Sequence, residues 1–232
     1  MPHPSVDARI LKQHIRKNIR AKLLSLTAEE IRYQSEQVFM KFFDLPEYKN
    51  AKSIGLFLSM PKGEIVTSDA CRRVLQDNKR LFVPRVGIHF EHDEMDLIRV
   101  EEENCTRPFY ERWPRNRWGI PEPPSLLDVA ATEGDLDLIV VPGCGFDRFG
   151  GRLGQGKGYY DKFIHRLRPS ELELSFPLLV GVALEPSFIS DEGINITLND
   201  ENRIIDSIPM LQHDIHMNMI ITPSNVFRVR DC

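Results

Sequence analysis

The sequence predicts an α/β protein: one three-layer domain spanning residues 1–232, with helices on both faces of a mostly parallel sheet. Two observations carry this. Short, continuous apolar runs alternate with amphipathic helical segments, the pattern of strands buried on both faces by crossover helices. The length sits at the upper end of one α/β domain, though it could also make two small ones, and no internal repeat is visible.

The elements follow in order. Asp7–Leu24 reads as a helix, because Leu11, Ile15, Ile19 and Leu23 recur at four-residue intervals while Lys12, Arg16, Arg20 and Lys22 take the other positions. Thr27 with Glu30 makes a capping box that opens a second helix, with Ile31, Val38, Phe39 and Phe42 as its apolar stripe and Pro46 at its end. Ser53–Ser59 is a short apolar strand. Thr67 or Ser68 caps a helix through Leu75, and Arg80–Val83 is a strand stopped by Pro84. Met95–Val100 and Asp137–Val141 are further strands, the second stopped by Pro142. Tyr159–Leu167 suits a helix, Leu178–Leu184 a buried strand and His216–Thr222 a last strand. Between them, Glu101–Gly134 is proline-rich and carries Trp113 and Trp118. A structureless stretch of that length inside a compact domain is uncommon and often functional.

Composition excludes several classes. Hydrophobic residues at 41% and charged residues at 28% fit a soluble globular protein. A net charge of −4 argues against a general nucleic-acid binder, and no apolar run reaches membrane-spanning length. The N-terminus lacks a secretory hydrophobic core, so a cytoplasmic protein is expected; a monomer is the expectation for its oligomeric state, which the sequence itself does not give. Its basic, amphipathic start leaves a mitochondrial fraction open. Cys71, Cys105, Cys144 and Cys232 show no CxxC spacing and read as reduced thiols. Asn104-Cys105-Thr106 and Asn195-Ile196-Thr197 match the glycosylation pattern, by chance in a chain without a secretory signal.

The chemistry concentrates after the strand ending at Val141, in Pro142-Gly-Cys-Gly-Phe-Asp147 and then Gly150 to Asp161. Five glycines between Gly150 and Gly158 let the backbone approach a ligand closely. Consecutive N–H groups in such loops form an anion nest, and a helix starting near Tyr159 adds its positive end. Arg152 and Lys157 supply fixed charge. Gly151 through Lys157 satisfies most of a Walker A pattern, but Gly158 stands where that motif needs Ser or Thr. The phosphate logic survives without the motif, and Asp161 is the nearest carboxylate for a metal. Lys12 and Arg16 lie one helical turn apart and share a face; from spacing alone a solvated basic face explains them better than a phosphate clamp. His213 and His216 lack further ligands at metal spacing.

The segments Pro142–Asp147, Arg152-Leu-Gly154 and Gly156-Lys-Gly-Tyr-Tyr-Asp161 together resemble the signature of the 5-formyltetrahydrofolate cyclo-ligase family. Lys12-Gln-His-Ile-Arg16, Phe57-Leu-Ser-Met60 with Gly63-Glu64, Phe82-Val-Pro-Arg85, Met95-Asp-Leu97, Trp118-Gly-Ile-Pro-Glu-Pro and Asp214–Thr222 fall in the family's order. The resemblance implies a Rossmann-like fold and ATP- and Mg2+-dependent conversion of 5-formyltetrahydrofolate to 5,10-methenyltetrahydrofolate through a phosphorylated formyl group. It implies Lys157 and Arg152 as catalytic cations. ATP would be held by Lys12, Arg16, Arg152, Leu153, Gly154, Gln155, Gly156, Lys157, Gly158, Tyr159 and Tyr160. Folate would be held by Leu58, Glu64, Arg85, Met95, Trp118 and Gln155 to Tyr159 (Gln155, Gly156, Lys157, Gly158, Tyr159), with Glu64 reading paired donors of the pterin and Arg85 meeting the glutamate tail. Asp161 and Asp214 would bind Mg2+. Three positions depart from the family: Gln155 replaces a frequent basic residue, Leu184 an aromatic and Asn218 an aspartate.

Overall fold

The computed structural model describes residues 7–86, 94–101, 108–124, 129–168, 175–198 and 201–229. Cys105 and Cys232, the Asn104–Thr106 match and parts of the Glu101–Gly134 stretch lie outside them.

Helix α1 (Ala8–Leu24) starts at Asp7, whose side chain accepts the N–H of Arg9, and buries Ile15, Ile19 and Leu23. Helix α2 (Ala28–Asp44) has the capping box in full: Glu30 N–H donates to Thr27, and Thr27 N–H donates to Glu30. Such a cap is worth about 1 kcal/mol. Its stripe of Ile31, Val38, Phe39 and Phe42 is buried. Pro46 does more than end α2. It occupies the first turn of a short helix, α3 (Pro46–Asn50), where its missing N–H costs nothing.

Strand β1 (Ser53–Leu56) is followed by α4 (Ser68–Gln76), then β2 (Arg80–Val86) and the antiparallel edge strand β3 (Met95–Arg99). Here the expected stop at Pro84 is corrected, since the strand runs on to Val86. β1 pairs with β2 only at Arg80 to Phe82, so beyond Phe82 one side of β2 is unpaired and a residue without an N–H is tolerated. A short helix α5 (Phe109–Arg112) precedes β4 (Leu138–Val141). Next come the small strands β5 (Gly145–Asp147) and β6 (Arg152–Leu153), then helix α6 (Tyr159–Arg166) and β7 (Leu178–Val182). The chain ends with β8 (Phe188–Ile189), the hairpin β9 (Ile194–Leu198) and β10 (Glu201–Ile205), then β11 (Met219–Ile221) and β12 (Val226–Arg228).

The seven-stranded sheet has the order β12-β11-β7-β4-β1-β2-β3, parallel at its centre with antiparallel pairs at both edges. Alternate residues face opposite layers, as period-two geometry requires. Ile54, Leu56, Leu138, Val140, Val180 and Val182 pack with α1, α2 and α4, whereas Ile139, Val141, Leu179 and Ile220 pack with Phe163 and Ile164 of α6. The chain leaves β1 toward β2 and leaves β4 toward β7, in opposite directions across the sheet. Neighbours β1 and β4 therefore form a topological switch point, where a crevice opens at the C-terminal strand ends.

Among the described residues no helix is long and apolar enough to cross a membrane. Cys71 and Cys144 are free, buried thiols.

Candidate active site

The crevice holds a cavity of about 550 Å3. Leu58 and Met60 after β1, Pro84 and Val86 of β2, Met95 of β3 and Trp118 with Ile120 from the long connection make its apolar wall. The opposite wall is Arg152, Gly154, Gln155, Lys157, Gly158, Tyr159, Tyr160 and Asp161. One space thus joins an apolar slot to a polar loop.

The loop is held from below. Asp147, almost fully buried, accepts the N–H groups of Phe149 (2.8 Å), Gly151 (2.9 Å) and Ile208 (2.7 Å). The hairpin of β5 and β6 pairs Phe146 with Arg152 and places the Arg152 guanidinium inside. Arg152 donates to the Pro142 carbonyl at 3.1 Å and to Asp161 at 2.7 Å. By contrast the N–H groups of residues 154–158 carry no protein partner among the described residues, and neither does the Lys157 ammonium. Gly156 and Gly158 have positive φ (104° and 70°), and Gly158 caps α6, so open N–H groups converge at a helix N-terminus.

Behind this loop, Lys12 is buried and ion-paired with Asp214, and Arg16 Nε donates to the Gly154 carbonyl at 2.8 Å. Burial draws the Arg16 guanidinium below its usual range. Burial would raise the Asp161 carboxyl, but the charge and hydrogen bond of Arg152 and the N–H of Ile215 (3.2 Å) outweigh it and hold it low. Because Ile215 follows Asp214, this hydrogen bond ties Asp161 to the segment that carries Asp214.

Glu64 sits in the wall between the two halves. Its Oε2 accepts the Met60 N–H at 2.7 Å, and burial pushes its carboxyl up to about 7. The Tyr160 hydroxyl and Arg152 Nε are buried without partners among the described residues. Burial, then the nearby Glu64, raises the Tyr160 phenol far above its usual range, so it stays a donor. Open donors of this kind cost about 1–3 kcal/mol each unless a ligand meets them.

The 5-formyltetrahydrofolate cyclo-ligase family model matches residues 9–223. The chain belongs to this family. It is 33% identical to the 5-formyltetrahydrofolate cyclo-ligase of Mus musculus over 182 residues, covering 74% of this chain and 85% of that one. It is 29% identical to a probable 5-formyltetrahydrofolate cyclo-ligase of Schizosaccharomyces pombe over 222 residues, covering 94% and 97%. The solved structure of an Aquifex aeolicus 5,10-methenyltetrahydrofolate synthetase aligns with a TM-score of 0.70 at 32% identity, over 96% of this chain and 94% of that chain.

Of the residues assigned through the cyclo-ligase resemblance, Leu58, Glu64, Met95, Trp118, Arg152, Gly154, Gln155, Lys157, Gly158, Tyr159, Tyr160 and Asp161 line the one cavity. Lys12, Arg16 and Asp214 gather behind the loop, with Leu153 buried in β6 and Gly156 exposed in the loop. Arg85 is not brought in. Pro84 and Val86 face the cavity, and between them Arg85 donates to the Pro124 carbonyl at 3.2 Å. Trp118 is part-exposed, edge-on to Tyr159 at 6.5 Å, with Arg117 over its ring at 4.2 Å.

Sequence reasoning missed Arg20, Lys62, Asn116 and Glu122 in the cyclo-ligase cavity wall. For Arg20 a signal existed: it continues the Lys12, Arg16 face by one more turn, and it bonds the Gln155 side chain. The departures also find places. Asn218 accepts the Leu179 N–H at 2.8 Å and so ties β7 to the segment before β11, a role that needs no charge. Leu184 is buried beside the cavity.

Proposed function

We propose that this chain cyclises 5-formyltetrahydrofolate to 5,10-methenyltetrahydrofolate at the expense of ATP, within one domain. The observation that carries the reading is the shared cavity, with an apolar slot for a fused ring meeting unpartnered N–H groups and a free ammonium suited to phosphate.

The triphosphate lies on the N–H groups of residues 154–158, with Lys157, Arg152, Lys12 and Arg16 as its cations. Phosphoryl transfer depends on positioning and charge neutralisation more than on a protein nucleophile. The γ-phosphoryl passes to the formyl oxygen, and folate N10 closes the ring as phosphate leaves. Leu58, Met95, Trp118 and Tyr159 hold the ring system, and Tyr160 and Arg152 supply donors where negative charge develops.

Mg2+ takes one or two carboxylates together with substrate phosphates and water. Asp161 and Asp214, two carboxylates on segments joined by the Ile215 hydrogen bond, fit that donor set. Each is ion-paired with a cation, Asp161 with Arg152 and Asp214 with Lys12, so both carboxylates would have to be shared with those cations to hold the ion. Among the described residues no group of three or more metal-ligating side chains is present. When bound, the ion neutralises phosphate charge.

The test is the near-ultraviolet absorbance of the methenyl product in a mixture of protein, 5-formyltetrahydrofolate, ATP and Mg2+. Product that forms only with ATP supports the reading; conversion without ATP contradicts it.

A further inference from the structure

Glu64 borders two spaces. One is the large cavity; the other is a water-sized chamber of about 10 Å3, lined also by Leu23, Phe57, Leu184 and Ser187. A chamber of that size holds about one water, and Glu64, Gln155 and Ser187 give it polar partners. Glu64 is the one titratable side chain common to both walls.

Its surroundings separate it from the other carboxylates of the cavity. Asp161 is ion-paired with Arg152, and Glu122 accepts the Val86 N–H at 2.9 Å. Glu64 has no ion-pair partner among the described residues; its Oε2 accepts from Met60, leaving Oε1 free. The titratable groups acting on it are Cys144, from the turn after β4, and Tyr160 of α6. The charged groups sharing its cavity are Arg20 of α1, Lys62 and Glu122 of the connecting loops, Arg152 of β6, Lys157, and Asp161 of α6.

We propose that Glu64 is the general base of ring closure, taking the proton of folate N10 and passing it to water in the small chamber. This rests on the cyclo-ligase reading above, and it gives Glu64 the folate amine N10 in place of the pterin edge that the family resemblance implies. N10 carries one hydrogen in the open substrate and none in the cyclised product, so a proton must leave. The N10 lone pair forms the bond to the formyl carbon. The N10–H bond then breaks, leaving its electron pair on nitrogen, and the proton goes to the Glu64 carboxylate. The bond from carbon to the phosphorylated oxygen breaks with its electrons, phosphate departs, and the nitrogen pair completes the amidinium. Glu64 returns to the carboxylate by losing its proton to the chamber water. A carboxyl that titrates at about 7 suits such a transfer near neutral pH.

The experiment compares wild type, Glu64→Gln and Glu64→Asp at saturating ATP and folate, from about pH 5 to about pH 9, with a thermal melt to establish folding. Wild-type kcat is expected to rise through an acid limb near neutrality. Glu64→Gln should lose about 100-fold or more in kcat and lack the limb, while the Kd for 5-formyltetrahydrofolate changes less than about threefold. Glu64→Asp, which keeps a base one methylene short, should retain the limb at intermediate kcat. A Glu64→Gln kcat within about threefold of wild type, whatever its KM, overturns the proposal and leaves Glu64 as a folate anchor. So does a residual rate that keeps the wild-type limb, or a Glu64→Asp variant as slow as Glu64→Gln. A folded wild type that forms no methenyl product overturns the functional reading itself, and this step with it.

Discussion

At the residue scale, the site is a set of charges held either in pairs or deliberately unpaired. Lys157 belongs to the second kind. Removing it should cost no stability, since it has no partner among the described residues, yet withdraw a cation from the transferring phosphoryl group. Lys157→Ala is expected to lower kcat/KM by about 100-fold or more with an unchanged melting temperature, checked by steady-state kinetics beside a thermal melt. Glu64 makes the opposite prediction for stability. Its folded pKa of about 7 lies above the unfolded value, so its contribution is fully present below the unfolded pKa and is lost as pH rises through about 7. Glu64→Gln has no such loss. Relative to wild type it should gain up to about 3 kcal/mol between about pH 4.5 and about pH 7.5, measured by urea unfolding. A stability difference that does not change with pH would remove the carboxyl from its buried position.

At the element scale, the phosphate-facing loop depends on backbone geometry as much as on side chains. Gly150 has φ +83°, and a Cβ there would lie 2.5 Å from the Met217 carbonyl oxygen, a backbone atom that cannot swing aside. Gly158 has φ +70° with nothing near its missing Cβ. Gly150→Ala should therefore cost more than about 2 kcal/mol, whereas Gly158→Ala costs about the 1–2 kcal/mol of a left-handed conformation. Chemical denaturation ranks the two, and the reverse order would mean that the Gly150 turn relaxes freely. Asp147 anchors the same loop through three backbone N–H groups, so Asp147→Ala should destabilise by about 3 kcal/mol or more and lower activity only through the loop.

At this scale the sequence was unevenly legible. The helices α1, α2, α4 and α6 and the central strands were readable because burial on one stripe, or on both faces, leaves a periodic apolar pattern. The strands β5, β6 and β8 were not, since two or three residues are too few to show a period. The hairpin β9–β10 was missed although β9 alternates buried and exposed residues, because Asn195-Ile196-Thr197 drew attention as a modification pattern instead.

For the whole molecule, the order of elements makes the site. The switch point between β1 and β4 opens the crevice, the connection through Trp118 covers its apolar half, and the β5–β6 hairpin with α6 supplies its polar half. The glycine-rich loop in the cavity wall was legible in the sequence because a turn of positive φ and open backbone N–H groups needs glycine in a local run. The Lys12–Asp214 pair was not, since the two residues are 202 positions apart and only folding brings them together. Nor was the exclusion of Arg85, which follows from strand alternation around Pro84.

The most direct measurement of the central claim is the stoichiometry of turnover. Inorganic phosphate, ADP and methenyl folate are quantified together in one reaction with 5-formyltetrahydrofolate, ATP and Mg2+. The account predicts equal amounts of all three, with ATP consumption dependent on folate. A phosphorylated folate accumulating without free phosphate, or phosphate released without cyclised folate, would contradict it.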